Sequence, residues 1–516
     1  MQFVIDPAIA TKIHKMKQRV CWGNQLIHQR AIDQTRLVLD DGHPDTPDFS
    51  FLVIGDSGSG YHRGHNPQRQ IAQQMLHHRE DCRFVLHTGD VIYLVGSREY
   101  YPKNFIEPYQ EFLVHGAASR YDRLLFNLPF FLVPGNHDYY DLPLAYGLAL
   151  QTTLPFRYLF RKQLDFDVGL HGSEQGNAYA KAFLDYLKCL NPADLARHLD
   201  THYTAETSTG RCLRYQPERF TRLPNRYYTF RAGNIDFFAL DSNTFNAPLP
   251  LPDTAAGDDF RAELQQRRAT IEKERRDIFA ESAQLDGSKP QESERLDDLH
   301  AKEEQLAEVI RDIDKQLAAD RTTTTDTEQL QWLQQRLIES WHTESVRGRV
   351  LFFHHPPYVT EATKWQQAQT IAIRQRLQQV LDGVAAVIGE VPQGRPIVDL
   401  VLNGHAHCLE YLRTLNTGHA DAYTNWIVCG GSGFSLRRQR LEGNDLLEFQ
   451  GDTEQTIAQS QLYVGRSGSG SQKRRPYSFL RIDVQDGRPP KFVVRPFVAE
   501  WFQHTWNEYA IDPFVI

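Results

Sequence analysis

The sequence predicts a mixed α/β domain, and three observations carry that expectation. Short apolar runs at residues 49–54, 84–86, 130–133, 350–353 and 398–402 read as buried strands. These runs lead into polar turns, most of them bearing glycine: Gly55-Asp56, Gly89-Asp90, Gly135-Asn136-His137, His354 and Gly404-His405. Helical signals alternate with the runs, beginning at Asn66-Pro67, where Asn suits a cap and Pro the first turn of a helix with Ile71, Met75 and Leu76 on its apolar face. Ligand sites of α/β folds collect at the carboxyl ends of strands, so the five turns are expected to converge on one site.

A length of 516 residues suggests about three domains. The turns nevertheless run from Asp56 to His407, which points to a single interrupted domain over residues 46–500. Residues 1–45 are expected to be an N-terminal extension and 501–516 a C-terminal tail. One insertion, at about 140–214, reads as mixed helix and loop. The other, at about 248–325, is entered through Pro248, Pro250 and Pro252 and left through Thr322 to Thr325. Within it Phe260, Leu264, Ile271, Ile278 and Leu285, then Leu299, Leu306, Ile310, Ile313 and Leu317, recur at helical spacing around a turn at Asp286. This predicts a long antiparallel helical hairpin over 258–320 with a thin apolar seam. Acids outnumber bases along it, so it is expected to be a solvated arm, or else a surface for self-association or a partner. Trp332, Leu333 and Leu337 then resume an amphipathic helix, and runs at 477–484 and 492–494 close the fold as a strand pair.

With 41% hydrophobic and 24% charged residues, the chain can bury a sizeable core and is not disordered. A net charge of −8 argues against a protein that coats nucleic acid. No apolar run suits a signal peptide or a membrane span, so a cytoplasmic location without a membrane partner is expected. The six cysteines lack CxxC spacing and are expected to be reduced core thiols, with Cys408, beside His407, a wall of the site.

Asp56, Asp90, Tyr93, Asn136, His137, His354, His405 and His407 gather at the predicted strand ends. Carboxylate, phenolate, amide oxygen and imidazole are hard to borderline donors, suited to iron, manganese or zinc. One aspartate can bridge two cations about 3.5–4 Å apart, and such a pair clamps the attacking and leaving oxygens of an in-line displacement. Each motif alone is weak; their ordered combination is strong.

These blocks, Gly55-Asp56-Ser-Gly58, Gly89-Asp90-Val-Ile-Tyr93, Gly135-Asn136-His137-Asp138, His354-His-Pro356 and Gly404-His405-Ala-His407, resemble those of the calcineurin-like metallophosphoesterase superfamily. Many members carry His where Gly58 stands, and Tyr93 matches the ligand that replaces it in purple acid phosphatases. Gly404 to Leu412, Leu240-Asp-Ser-Asn243 and Gly430-Gly-Ser-Gly433 are most similar to the small, tartrate-resistant, mammalian type.

The resemblance implies a four-layer αββα sandwich, here with the helical hairpin inserted. It implies one cation on Asp56, Asp90, Tyr93 and His407, and a second on Asp90, Asn136, His354 and His405. Iron(III) would be paired with iron(II), zinc or manganese. It further implies a phosphoester hydrolase in which metal-bound hydroxide attacks a phosphate monoester. His137 would assist the leaving group, with Asp138 orienting it. His62, His65 and His355 are candidates for contact with a phosphorylated small-molecule substrate. Two alternatives stay open: a phosphodiesterase or nucleotide hydrolase with the same site, and a non-catalytic scaffold that binds partners through the hairpin.

Overall fold

The computed structural model describes residues 4–43, 46–58, 65–142, 172–286, 289–450 and 453–516. Strands Phe49–Ile54, Cys82–His87 and Phe130–Leu132 lie parallel, with Leu52 beside Val85 and Leu86 beside Phe131. On the other flank of Phe49–Ile54, Arg475–Gln485, Lys491–Phe502 and Thr505–Ala510 add antiparallel, making a seven-stranded sheet with Phe514–Val515. An eleven-stranded sheet has Gly348–Phe352 near its middle, parallel to both Ile235–Ala239 and Leu400–Asn403.

The two sheets face each other across an aromatic core. Phe51 meets Phe237 edge-on at 5.6 Å, and Phe84 meets Phe230 and Phe237 at 5.4 and 5.3 Å. Each such ring, fully buried, contributes roughly 1.5–3 kcal/mol. Alternation along the strands then determines the outer layers. Phe237, Val350, Phe352, Leu400 and Leu402 point into this core, whereas Phe238, Leu351 and Val401 point outward. There they meet Leu333 and Leu337 of helix Thr327–His342 and Ile373, Leu377 and Val384 of helix Ala368–Ile388. Helix Pro67–His77, capped by Asn66 on the Arg69 amide at 3.0 Å, covers the seven-stranded sheet. The result is the expected αββα sandwich, and the continuous apolar runs are explained because both faces of these strands are covered.

Both chain ends contribute strands, unlike the expected extension and tail. Ile32–Leu39 pairs parallel with Gly210–Tyr215 and reaches Tyr228–Ala232, so residues 205–215, expected to be helix and loop, extend the large sheet. Asp33, Gln34, Thr35 and Arg36 interrupt any apolar run in Ile32–Leu39, which is why periodicity does not reveal it. The stretch 143–171 lies outside the described residues. No helix among those described is long and apolar enough to cross a membrane.

The hairpin consists of helices Ala255–Ser282 and Pro290–Ala318, sealed by Leu264, Ile271, Val309, Ile310 and Ile313. Phe260, assigned to the seam by its spacing, is exposed. The hairpin is also not the solvated arm its charge suggests. Glu304, Glu308, Arg311, Asp312 and Lys315 form a second helical stripe whose partners lie on the domain. Asp312 caps helix Ala368–Ile388 by accepting from the Ala368 and Gln369 amides at 2.8 and 3.0 Å. Lys315 shares Asp6 with Lys12, each at 2.6 Å. A polar face looks solvated in sequence when its partners come from elsewhere in the chain.

Where the hairpin rejoins the sandwich, Asp326 caps helix Thr327–His342 and pairs with buried Arg226 at 2.5 Å. Arg226 also reaches Asp241 at 3.2 Å. Replacing it leaves two buried carboxylates uncompensated, which costs about 3–5 kcal/mol. Arg226→Met is therefore expected to lower unfolding stability by that order, measured by urea denaturation followed by circular dichroism.

Candidate metal centre

The carboxyl ends of five parallel strands from the two sheets deliver the predicted donors to one buried space. The backbone there is strained. Asp56, Asp90, His405 and His407 adopt φ of 52°, 55°, 69° and 48°, a left-handed region costing residues with a Cβ about 1–3 kcal/mol each. Strain of this kind persists only where surrounding contacts over-determine it. Two glycines permit the close approach. A Cβ on Gly135 would stand 2.0 Å from Asp90 Oδ1, and one on Gly58 2.0 Å from the Val91 carbonyl. Position 58 therefore has no room for an imidazole. Instead the Tyr93 amide donates to the Gly58 carbonyl at 3.0 Å and the phenol reaches the cluster.

The Tyr93 hydroxyl lies 2.9 Å from Asp56 Oδ1, 2.7 Å from Asp90 Oδ2 and 3.1 Å from His407 Nε2. Asp56, Asp90 and His407 present donor atoms within 4.8 Å of one another. On the other side of Asp90, His354 Nε2 is 3.2 Å from Asp90 Oδ2, 3.0 Å from Asn136 Oδ1 and 3.2 Å from His405 Nδ1. Backbone amides brace both carboxylates: His405 N donates to Asp56 Oδ2 at 2.7 Å and His137 N to Asp90 Oδ1 at 2.8 Å.

Burial, reinforced by Asp90 and opposed by His354, pushes the Asp56 carboxyl up to about 7. Burial opposes the charge on Asp90 too, but His354 and His137 outweigh it and hold that carboxyl far below the usual range. His354 is correspondingly lifted to about 9 against the effect of burial, chiefly by Asp90. Burial, then Asp56 and Asp90, hold the Tyr93 phenol well above its ordinary value. Burial and the neighbouring Lys364 lower His405 to about 3. The protein's own groups thus leave this donor set short of positive charge. Cations supply that charge, so the residues present fit a metal centre.

The remaining expected residues divide. His137 donates from Nδ1 to the Leu94 carbonyl at 2.6 Å, leaving Nε2 toward Glu304 at 3.8 Å. Asp138 does not orient it. Its carboxyl group accepts instead from the Gly135 amide at 2.9 Å and from Val91 and Ile92 at 3.1 and 3.3 Å. His355 joins His354 and His405 in a cluster of ring nitrogens within 4.8 Å. Its Nδ1 pairs with Ser242 Oγ at 2.7 Å, and its buried Nε2 has no hydrogen-bond partner among the described residues. His65 stacks on Trp501 at 4.9 Å within the aromatic packing of the seven-stranded sheet. His62 lies outside the described residues.

Five neighbours were not expected. Phe434 stacks on Tyr93 at 3.8 Å, Arg437 Nε is 3.4 Å from His407 Nδ1, and Lys364 Nζ is 3.0 Å from His405 Nε2. Glu304 and Glu308 come from the hairpin; their four-residue spacing is a signal in the sequence, but nothing local shows what they face. Cys408 is buried in the apolar cluster on the outward face of the large sheet.

The sequence signature of calcineurin-like phosphoesterases matches residues 49–409. No curated protein matches the chain. Among solved structures it is similar to GAP50, the anchor in the inner membrane complex of Plasmodium, at 11% identity over 87% of this chain and 84% of that one (TM-score 0.35). It is also similar to purple acid phosphatase PPD1 from yellow lupin (Lupinus luteus) seeds, at 12% identity over 92% of this chain and 54% of that one (TM-score 0.40). PhoD aligns at 12% identity over 92% of this chain and 70% of its own (TM-score 0.35).

Because a methyl group on residue 135 collides with Asp90 Oδ1, Gly135→Ala is expected to weaken metal binding by about tenfold or more while the circular dichroism spectrum stays unchanged. Metal content after dialysis, measured by plasma emission spectroscopy, checks this.

Proposed function

The chain belongs to the calcineurin-like phosphoesterase family and is a metal-dependent phosphoester hydrolase, and we propose that it cleaves phosphate monoesters of small molecules at a two-cation centre bridged by Asp90. One observation carries the reading: Asp90 Oδ2 lies within hydrogen-bond range of both halves of the cluster, 2.7 Å from the Tyr93 hydroxyl and 3.2 Å from His354 Nε2. Asp56, Asp90, Tyr93 and His407 would hold one cation; Asp90, Asn136, His354 and His405 would hold the other. Such a pair, when bound, adds positive charge at the phosphoryl oxygens and makes water acidic enough to attack near neutral pH.

The side chains handle the proton. His137 is fixed by its bond to Leu94, so Nε2 is the nitrogen available to a leaving oxygen. Burial lowers its pKa to about 4, so it is neutral at pH 7 and has to acquire the proton it delivers. Glu304, raised by burial to about 8, is protonated at that pH and stands 3.8 Å away. It holds a proton beside the same nitrogen.

Tyr93 bears on the identity of the metal. A phenolate oxygen is a hard, anionic donor, which favours iron(III) over a divalent ion at that position. The second cation would be iron(II), zinc or manganese.

Asp90→Ala is expected to lose both cations and all turnover of 4-nitrophenyl phosphate; unchanged turnover would refute the mechanism. Preference for bis(4-nitrophenyl) phosphate over the monoester in the unaltered enzyme would move the substrate class to diesters. Purified protein is expected to absorb in the visible, with Tyr93→Phe abolishing the band. A colourless protein that retains activity overturns the iron assignment alone.

A further inference from the structure

We propose that Glu308, delivered by the inserted hairpin, is a positioning residue for the cation held at His405, which makes the hairpin part of the metal centre. The inference deepens the two-cation reading and rests on His405 being a ligand.

An imidazole that binds a cation through one nitrogen keeps a hydrogen on the other. The acceptor of that hydrogen determines the orientation and basicity of the ring. His354 turns Nε2 toward Asp90 and Asn136 and its Nδ1 to the Thr88 carbonyl at 2.9 Å. His407 turns Nε2 toward the Tyr93 hydroxyl and its Nδ1 to the Ser435 carbonyl at 3.1 Å. His405 is reversed. Its Nδ1 lies 3.2 Å from His354 Nε2, and its Nε2 points outward to Glu308 Oε1 at 3.1 Å.

Two other groups approach that nitrogen: Lys364 Nζ at 3.0 Å and Gln369 Nε2 at 3.4 Å. An ammonium has no lone pair, and an amide nitrogen donates but does not accept, as Gln369 Nε2 does to Gln367 Oε1 at 2.8 Å. Glu308 alone can accept the hydrogen. Direct coordination of the same cation by Glu308 is excluded, because the two ring nitrogens of His405 point away from each other. Two of the three outer acceptors are therefore backbone carbonyls of the sandwich, and the third is a carboxylate from the insertion.

That carboxylate is held firmly. Glu308 is buried and paired with buried Lys364. Its helix is tied on both sides, by Arg437 Nη1 donating to the Ala301 carbonyl at 3.2 Å and by Asp312 at the start of helix Ala368–Ile388. Removing such a partner typically costs 10–100-fold in metal affinity.

The test is calorimetric titration of Zn²⁺ into the chelator-treated full-length chain. The unaltered protein is expected to take up two cations. Glu308→Ala is expected to weaken one of them by about 10–100-fold and leave the other unchanged, with Glu308→Gln, which keeps an acceptor oxygen, losing less. Glu308→Leu combined with Lys364→Met removes both buried charges together, so no unpaired ammonium burdens the fold; the same selective loss is expected. Unchanged affinities in these variants overturn the proposal. So does an equal loss of both cations with a lower melting temperature of the metal-free protein, which would mean a purely structural role. If the unaltered chain takes up no cation, or His405→Ala binds as the unaltered chain does, the two-cation reading fails and the proposal with it.

Discussion

Asp90 is a carboxylate taken entirely out of water, and most of the surrounding architecture answers the cost of keeping it there. One oxygen accepts the His137 amide, the other faces Tyr93 and His354, and the missing Cβ at Gly135 leaves space for it. Asp138, on the next loop, grips the backbone on both sides by accepting from Val91, Ile92 and Gly135. The two loops that carry Asp90 and Asn136 are thereby locked to each other. Such mutual bracing sustains left-handed backbone at Asp56, Asp90, His405 and His407, where an unsupported loop would relax.

The hairpin fits this arrangement because it leaves and re-enters the sandwich at nearly one point. Strands Ile235–Ala239 and Gly348–Phe352 are parallel neighbours, so the chain between them has to cross over the sheet, and helix Thr327–His342 makes that crossing. The hairpin is an excursion from the start of the crossing. Its exit is fixed by Asp326, which accepts from Arg226 and whose amide donates to the Thr244 carbonyl at 3.0 Å. Strand register is undisturbed, while the second helix is carried across the ends of the strands where the donors collect.

These features differ in how far they could be read from the chain. Strands covered on both faces announce themselves as unbroken apolar runs, and their Gly-bearing turns expose Asp56, Asp90, Asn136 and His405 as a set. Ile32–Leu39 is only partly buried and carries Asp33, Gln34 and Arg36, so no run marks it. Tyr93 is legible through its three-residue spacing from Asp90. The role of Asp138 is not, because adjacency to His137 says nothing about which amides its carboxylate meets. Lys364, Arg437 and Glu308 are set by approaches across the tertiary fold. The apolar seam of the hairpin is visible as periodicity, but the charged stripe on its other face has the same spacing as a solvated surface.

A charged helix beside a centre that takes anionic phosphate would repel its substrate if its carboxylates were free. They are not. Glu308 is neutralised by Lys364, and burial keeps Glu304 protonated below about pH 8. Arg311, on the same stripe, lies over the Tyr140 ring at 5.2 Å and adds a positive charge. At neutral pH the face turned to the site is therefore close to neutral or slightly positive. Above about pH 8 Glu304 ionises beside His137, and the same helix then opposes an incoming phosphate. The buried pair resolves the conflict: Glu308 can stand against His405 as a full carboxylate without adding an unbalanced negative charge to the centre, because Lys364 is buried with it.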